Sequence, residues 1–457
     1  MLSSIKLNIT FYIYCLFFII NIAYSQNLKL EVKGIQNQKA IIYSLEGEKI
    51  EKIDSIISTS NDNFSYIFNK NKYHIGFYRA DFGQNIHIDF IYDGGDIDMY
   101  TNAEDAYDSL HVINSLSNQL YYSFIKLNKT FKTKTELLQL LLAKYPKDDA
   151  FYEKTKVELH HIQENYSYFI NIISQKIPGS FIARYIKSYQ LPIINASLPP
   201  DQQLAFLKAH SLDNVDFKDG ELTYSDLFTV KTIEYLSYYR NPQMPKRILE
   251  NEFITAIDKI LNKAKVNYRV YKQIVEYLID GFKKFGFEND LKYIIDNYVI
   301  KDDLCLDNKT EKSIQLMLNQ DKILHIDAIA PDITLQDPSG KIVKLDKIIS
   351  KKILIVFYAS WCPHCQVLIP KLKEYLDTVH NPDLKILAIS LDTKRADWIN
   401  FIKRNNLKWI NISDLKGWDG KAALDYYLYA TPTMYLIDKN KKIIAKPLTI
   451  DDLKKWL

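Results

Sequence analysis

The sequence predicts a multidomain protein in three parts: a small antiparallel β domain, a central irregular α-helical domain and a C-terminal α/β domain. Short alternating runs of apolar and polar residues, separated by turn signals, fill residues 26–102. Apolar residues then recur at helical spacing through residues 103–320. In residues 324–457 strand patterns alternate with helix patterns, which is typical of βαβ units and a parallel sheet.

Length and composition fit a globular protein of several domains. The chain has 457 residues, of which 47% are hydrophobic and 25% charged, and its formal net charge is +4. That length predicts about two to four folding units. Since the net charge is small for this size, no nucleic-acid or polyanionic partner is expected.

The first 25 residues have the pattern of an export signal. Lys6 supplies a positive charge, residues 9–22 are almost wholly apolar, and Ala23 and Ser25 put small residues at the cleavage-determining positions. We predict a signal peptide over residues 1–25, cleaved after Ser25, and a mature protein in the periplasm or cell envelope. The alternative is an uncleaved anchor, although the apolar stretch is shorter than the ~20 residues that span a bilayer.

The mature chain would keep three cysteines, Cys305, Cys362 and Cys365. Three cysteines are too few for a disulfide-stapled scaffold, so the close pair predicts redox chemistry instead. Cys305 lies in a stretch of acidic and apolar residues, and we expect it to be a small buried hydrophobe.

Individual elements follow from the same patterns. In the β domain, strands are predicted over residues 28–32, 40–43, 65–68, 74–78 and 86–92. In the α/β domain, strands are predicted over residues 352–358, 384–390 and 433–438, the last continuing into 442–445, with helices over 363–378 and 396–405.

The segment Trp361-Cys362-Pro363-His364-Cys365 joins a buried strand to a helix. Cys362 then lies at the helix amino terminus, where unpaired N–H groups and the helix dipole favour a thiolate. Pro363 suits the first helical position, and Cys365 returns one turn later at a spacing that a disulfide can bridge. We predict that Cys362, on the exposed end, attacks, that Cys365 resolves the mixed disulfide, and that His364 tunes the thiolate.

Two other uses of a CxxC pair are disfavoured. A structural zinc site needs two further ligands, and no second CxxC or Cys/His pair occurs in this region, so neither a metal nor another cofactor is predicted. A purely structural disulfide across so short a loop would constrain the unfolded chain little.

Further motifs carry a family resemblance. They are residues 328–335, 337–341 and 357–362, Pro370 five residues after Cys365, and Ala430-Thr431-Pro432-Thr433. With them, residues 324–457 resemble the exported thiol-disulfide reductases of the ResA and TlpA type, which have a thioredoxin-like fold. The resemblance implies that Pro432 is cis and packs against the sulfurs, and that Thr431 offers backbone hydrogen bonds to an extended substrate peptide. Trp361 is also predicted to bind the substrate. The whole chain more weakly resembles multidomain thiol-disulfide oxidoreductases of Bacteroidota.

Two carboxylates of such proteins are missing. Thioredoxins carry a buried aspartate where this chain has Val356, and ResA-type proteins a glutamate where it has Leu368. Proton transfer at Cys365 must therefore use another group; Asp392 is a candidate, although a capping or loop role suits it better.

We therefore predict an exported thiol-disulfide oxidoreductase, favouring reductase or isomerase, with protein disulfides and thiols as substrates and a membrane-bound electron donor as partner. Oligomeric state is left open. A strongly oxidising dithiol oxidase is the first alternative, since the Pro-His dipeptide resembles that of periplasmic oxidases. An envelope binding module with an accessory redox domain is another. A peroxiredoxin-like peroxidase is disfavoured because Ala359 replaces the expected threonine.

Overall fold

The computed structural model describes residues 26–35, 39–58, 62–69, 71–195, 198–241, 243–379 and 381–457. Two compact units divide between Tyr238 and Tyr239. The predicted signal peptide, residues 1–25, lies outside the described residues. Within the described ranges, no helix combines the length and the apolar character that crossing a bilayer requires.

The first unit begins with eight strands among the described residues. They are β1 (Gln26–Lys33), β2 (Lys39–Glu46), β3 (Lys49–Ile57), β4 (Asn63–Phe68), β5 (Gly76–Gly83), β6 (Ile86–Tyr92), β7 (Ile97–Asn102) and β8 (His111–Asn114). They form two four-stranded sheets, ordered β4-β1-β7-β8 and β3-β2-β5-β6, and one apolar cluster draws buried side chains from both. The predicted β-rich region is therefore present.

One pairing departs from the predicted antiparallel arrangement. β1 pairs with β7 in parallel, in the register Leu28 to Ile97, while β1 and β4 are antiparallel. β8 also extends the sheet past residue 102, where a helical domain was predicted to begin. β8 has only four residues, of which Val112 alone is partly buried, so it gives little strand signal.

Five α-helices of the first unit follow the strands in the described chain. They are α1 (Leu116–Lys144), α2 (Ala150–Lys176), α3 (Phe181–Tyr189), α4 (Pro200–His210) and α5 (Leu227–Ser237). Ser115, Asp149 and Ser180 cap α1, α2 and α3 by accepting hydrogen bonds from backbone N–H groups of the first turn. These caps fix where each helix begins.

The second unit begins with further helices. They are α6 (Lys246–Ala264), α7 (Tyr268–Phe285), α8 (Glu288–Ile294), a π-helical segment (Ile295–Ile300) and α9 (Asn308–Ile323). α7 ends at Gly286, whose φ of 70° gives the left-handed conformation that closes many helices. The helices predicted over residues 103–320 are thus divided between the two units.

An α/β region completes the second unit. Its strands are β9 (Thr334–Gln336), β10 (Ile342–Lys344), β11 (Lys352–Tyr358), β12 (Leu384–Ser390), β13 (Ile410–Ile412), β14 (Thr433–Asp438) and β15 (Ile443–Ala445). Its helices are α10 (Pro363–Val379), α11 (Arg395–Arg404), α12 (Lys421–Asp425) and α13 (Ile450–Lys454).

The main sheet of this region has the order β13-β12-β11-β14-β15. β11 is its central strand, and residues 353–358 are fully buried. β13, β12 and β11 are parallel, whereas β14 and β15 are antiparallel to their neighbours. The predicted continuation of β14 into residues 442–445 was wrong, because the Asp438 carboxylate accepts hydrogen bonds from the N–H groups of Asn440 and Lys442 and stabilises a turn.

Candidate active site

The dithiol lies at the junction of β11 and α10. After β11 the Cys362 N–H donates to the Ala359 carbonyl at 3.2 Å, and the Cys362 carbonyl accepts from the Gln366 N–H at 3.0 Å. Cys362 is therefore the residue that starts the helix, and Pro363 occupies the first helical position, as predicted.

The Cys362 thiol has two close partners. It donates to the Thr431 carbonyl at 3.3 Å, and the Cys365 N–H donates to its Sγ at 3.4 Å. Hydrogen bonds lower the pKa of Cys362 to about 5, against an opposing effect of burial. They come from the Cys365 side chain, the Thr431 side chain and the N–H groups of Cys365 and His364. The lowered pKa favours the thiolate of Cys362 as the pH approaches neutrality, and the sulfur then no longer donates to the Thr431 carbonyl.

Cys365 has the opposite character. Its side chain is fully buried, and burial raises its pKa well above the ordinary range, with a further upward contribution from its bond to Cys362. Both cysteines are free thiols in this structure. One sulfur of the pair is thus ready to attack, while the other keeps its proton.

The predicted environments of three side chains differ from those in the structure. Cys362 is only 5% exposed, so the prediction that it lies on an exposed end was wrong, although it is the more accessible cysteine of the pair. The His364 side chain is exposed, and its effect on the pKa of Cys362 comes through its backbone N–H. Cys305, predicted to be buried, is exposed.

Thr431 and Pro432 reach the dithiol because β14 is the neighbour of β11. Phe357 pairs with Thr433, so the residues just before β14 meet the residues just after β11. The Thr431–Pro432 peptide bond is cis, and the Thr433 hydroxyl donates to the Ala430 carbonyl at 2.9 Å. This loop faces Cys362 with the Thr431 carbonyl.

Asp392 holds the segment that leads into the dithiol. Its buried carboxylate accepts hydrogen bonds from the Ser360 hydroxyl and the Ser390 hydroxyl, both at 2.6 Å, and from the Ser360 N–H at 3.2 Å. These contacts are those of a loop acid that fixes Ser360. At the positions of the missing carboxylates, Val356 is fully buried and Leu368 packs against the same apolar core.

Tyr358 is a buried hydroxyl that the sequence did not single out. Its oxygen accepts a hydrogen bond from Trp398 Nε1 at 3.1 Å. Burial raises its pKa, the hydrogen bond from Trp398 opposes this, and the charges of Asp392 and Cys365 raise it further.

Trp418 is a second residue that sequence reasoning missed. Its ring lies 6.4 Å from that of Trp361, and the two residues are 40% and 53% exposed. Gly417 positions it: φ is +61°, and a Cβ there would lie 3.1 Å from Thr393 Cγ2. A lone tryptophan in a loop carries no sequence signal of this pairing.

The described residues show no group of three or more His, Cys, Asp or Glu side chains that could hold a metal ion. The site as described consists of two thiols, the Thr431–Pro432 loop and two exposed indoles.

Comparison with known proteins finds similarity in the C-terminal α/β region. Residues 326–446 match the AhpC/TSA family. The thiol-disulfide oxidoreductase ResA of Bacillus cereus is 28% identical over 128 residues, which cover 28% of this chain and 72% of the relative. ResA of Geobacillus thermodenitrificans is 28% identical over 135 residues, which cover 29% of this chain and 76% of that relative. A solved C-terminal domain from Bacteroides thetaiotaomicron, titled as belonging to a thiol-disulfide oxidoreductase, is 31% identical with a TM-score of 0.28, covering 29% of this chain and 93% of that domain.

Proposed function

Because the chain belongs to the thiol-disulfide oxidoreductases of the ResA and TlpA type, we propose that it exchanges the Cys362–Cys365 dithiol with disulfides of exported proteins, as a reductase or isomerase. The observation that carries the proposal is the pair of free thiols one helical turn apart at the start of α10, with Cys362 beside the Thr431–Pro432 loop. The opposite pKa shifts of the two thiols support it. A reductase needs one thiolate to attack and one protonated thiol held back for the second step.

The reduction runs in two exchanges. The Cys362 thiolate attacks one sulfur of a substrate disulfide, which breaks the S–S bond and releases the other substrate sulfur as a thiolate that takes up a proton. Cys365 then loses its proton and attacks Cys362 Sγ, forming the Cys362–Cys365 disulfide and releasing the second substrate sulfur. The substrate gains two electrons and the protein loses two.

The substrate is proposed to lie between the Thr431–Pro432 loop and the two exposed indoles. Thr431 offers backbone groups to an extended segment, and Pro432 packs beside the sulfurs. Trp361 and Trp418 supply an apolar surface next to the nucleophile, which suits a protein segment better than a small polar disulfide.

Insulin reduction tests the proposal. The reduced protein should accelerate the precipitation of insulin chains, and Cys362→Ala should abolish the activity, because no other thiolate lies in the described site. Cys365→Ser should instead trap a mixed disulfide on Cys362, detectable by non-reducing mass spectrometry. Equal activity of wild type and Cys362→Ala would refute the proposal.

A dithiol oxidase is the second candidate, favoured by the pKa of Cys362. A stable thiolate stabilises the reduced state, and this makes the disulfide a stronger oxidant. CxxC proteins span about −270 to −120 mV. The redox potential of the Cys362–Cys365 pair can be measured by equilibration with glutathione. A potential near about −270 mV would support the reductase, and one near about −120 mV would support the oxidase.

Export is part of the same proposal. The pattern of residues 1–25 supports delivery to the periplasm or cell envelope, where disulfide substrates occur. A membrane-bound electron donor would return the pair to the dithiol state. Amino-terminal sequencing of the exported protein tests the placement, and Gln26 is the expected first residue.

A further inference from the structure

Helix α9 contacts the segment that leads into the Thr431–Pro432 loop. Gln320 on α9 is only 7% exposed, and its Nε2 donates to the carbonyl oxygens of Tyr426 at 3.0 Å and Tyr427 at 3.2 Å. Both carbonyls lie at the end of α12, where unpaired backbone oxygens need a donor. The Gln320 side chain, more than a hundred residues upstream, supplies this hydrogen-bond donor.

The contacted segment has an unusual backbone that such a partner can fix. Tyr427 has a φ of 47°, the left-handed conformation that residues with a side chain seldom adopt. The Tyr427 N–H donates to Leu424 and the Leu428 N–H to Ala423, which closes α12. Gln320 holds the carbonyls of this turn, so its direction is set from α9 as well as from α12.

A second contact supports the same loop. Tyr429 lines a small cavity with side chains of α7, α8 and α9, among them Ile279, Leu291 and Met317. Burial raises the pKa of Tyr429, and the charges of Glu288 and Asp321 add to this effect. The loop is therefore backed by the helices over several residues.

An ion pair flanks Gln320 on α9. Lys446, just after β15, lies 3.6 Å from the Asp321 carboxylate, and both groups are partly exposed. A pair of this exposure contributes little by itself. It nevertheless lies beside Gln320 and joins α9 to the same region of the chain.

The distance along the chain from these contacts to the reactive sulfur is short. Three residues separate Tyr427 from Thr431, and the Thr431 carbonyl lies 3.3 Å from Cys362 Sγ. We propose that Gln320 is a positioning residue that holds the Thr431–Pro432 loop at the dithiol, so that α6–α9 and the α/β region act as one redox unit. This inference rests on the proposed function, because it concerns how the substrate segment is bound.

A positioning role for Gln320 predicts a kinetic effect that ordinary packing would not produce, because it should change the binding of protein substrates only. A loop that is displaced from Cys362 binds an extended protein segment poorly, whereas a small disulfide needs only the thiolate. Loss of the Gln320 contacts should therefore raise KM for a protein disulfide and leave the reaction with a small disulfide unchanged.

The test compares isosteric changes at two glutamines of α9 in the full chain. Gln320→Glu replaces the donor by a carboxylate facing two carbonyls, and Gln320→Met removes the donor with little change in volume. Gln315→Glu and Gln315→Met are the matched controls, since Gln315 is exposed on the same helix. Each variant is assayed with insulin and with 2-hydroxyethyl disulfide, and circular dichroism gives its folded fraction at the assay temperature.

The Gln320 variants should raise KM for insulin about three- to tenfold and change kcat/KM for 2-hydroxyethyl disulfide less than about twofold, while the Gln315 variants match wild type. Gln320→Met keeps the test valid if Gln320→Glu does not fold. An unchanged KM for insulin in folded Gln320 variants, or an equal loss with both disulfides, would overturn the inference alone. A wild-type protein inactive on insulin would overturn the proposed function, and this inference with it.

Discussion

The Cys362 thiol donates a hydrogen bond to the carbonyl oxygen of Thr431, 69 positions further along the chain. The contact arises because β14 begins two residues after Thr431 and pairs with β11, which leads to Cys362. The nucleophile and the loop that we propose to bind the substrate therefore meet before any substrate arrives. Such preorganisation lowers the cost of binding an extended segment.

The thiolate of Cys362 should be measurable by alkylation. A pKa of about 5, below the ordinary value for cysteine, means that the thiolate fraction rises between about pH 4 and 6 and is constant above pH 7. The rate of iodoacetamide labelling at Cys362 should follow that curve, measured by peptide mass spectrometry because exposed Cys305 also reacts. Cys362→Ser should show no labelling of Cys365 over this range, and a midpoint near pH 8 or 9 in wild type would contradict the assignment.

The redox potential should depend on pH with a specific slope. Above about pH 5 the reduced pair binds one proton, on Cys365, because the pKa of Cys362 is lowered and that of Cys365 is raised. One proton for two electrons gives about −30 mV per pH unit, and below pH 5 two protons give about −59 mV. Glutathione equilibria from pH 4 to 8 measure the slope. A value of −59 mV throughout would mean that Cys362 stays protonated.

Trp418→Ala should impair protein substrates selectively. Loss of the indole beside Trp361 removes part of the proposed substrate surface, and an aromatic contact of about 1 kcal/mol with the substrate corresponds to a rise in KM for insulin of about fivefold. The rate with 2-hydroxyethyl disulfide should change little. Trp456→Ala is the control: Trp456 is 46% exposed, and its carbonyl accepts from Lys352 at the far end of β11, about 20 Å along the strand from the dithiol. Equal effects of the two variants would contradict a substrate contact.

Asp392→Asn should destabilise the second unit. The amide cannot reproduce the charge-assisted bonds from Ser360 and Ser390, which predicts a loss of about 1.5–3 kcal/mol and a Tm lower by roughly 3–10 °C. All five tryptophans lie after residue 360, so fluorescence excited selectively at tryptophan reports this unit. Asp397→Asn, an exposed change at the start of α11, should cost less than about 1 kcal/mol.

Much of the fold was predictable where the signal is local. The bounds of β6, β12 and β14 match the predicted strands at residues 86–92, 384–390 and 433–438. These strands have strong apolar patterns between turn residues, and such patterns depend on nearby sequence only. The helix start at Pro363 was predictable for the same reason.

Features that depend on distant contacts were not predictable. The parallel pairing of β1 with β7 joins residues about 70 positions apart, and no local pattern separates it from an antiparallel pairing. The two indoles come together through the fold of the loop at Gly417, and Cys305 is exposed although its neighbours Leu304 and Leu306 are buried. In each case the pairing or exposure is determined by tertiary packing, which the local sequence does not specify.

The position of β1 has a consequence for how its sheet is completed. β1 begins at Gln26, next to the proposed cleavage site, and lies between β4 and β7 in its sheet. β4 pairs with β1 from Gln26 onward, and β7 pairs with it from Leu28 onward. The first described strand is thus an interior strand of its sheet, and both of its edges are covered only after residues 97–102 have joined it.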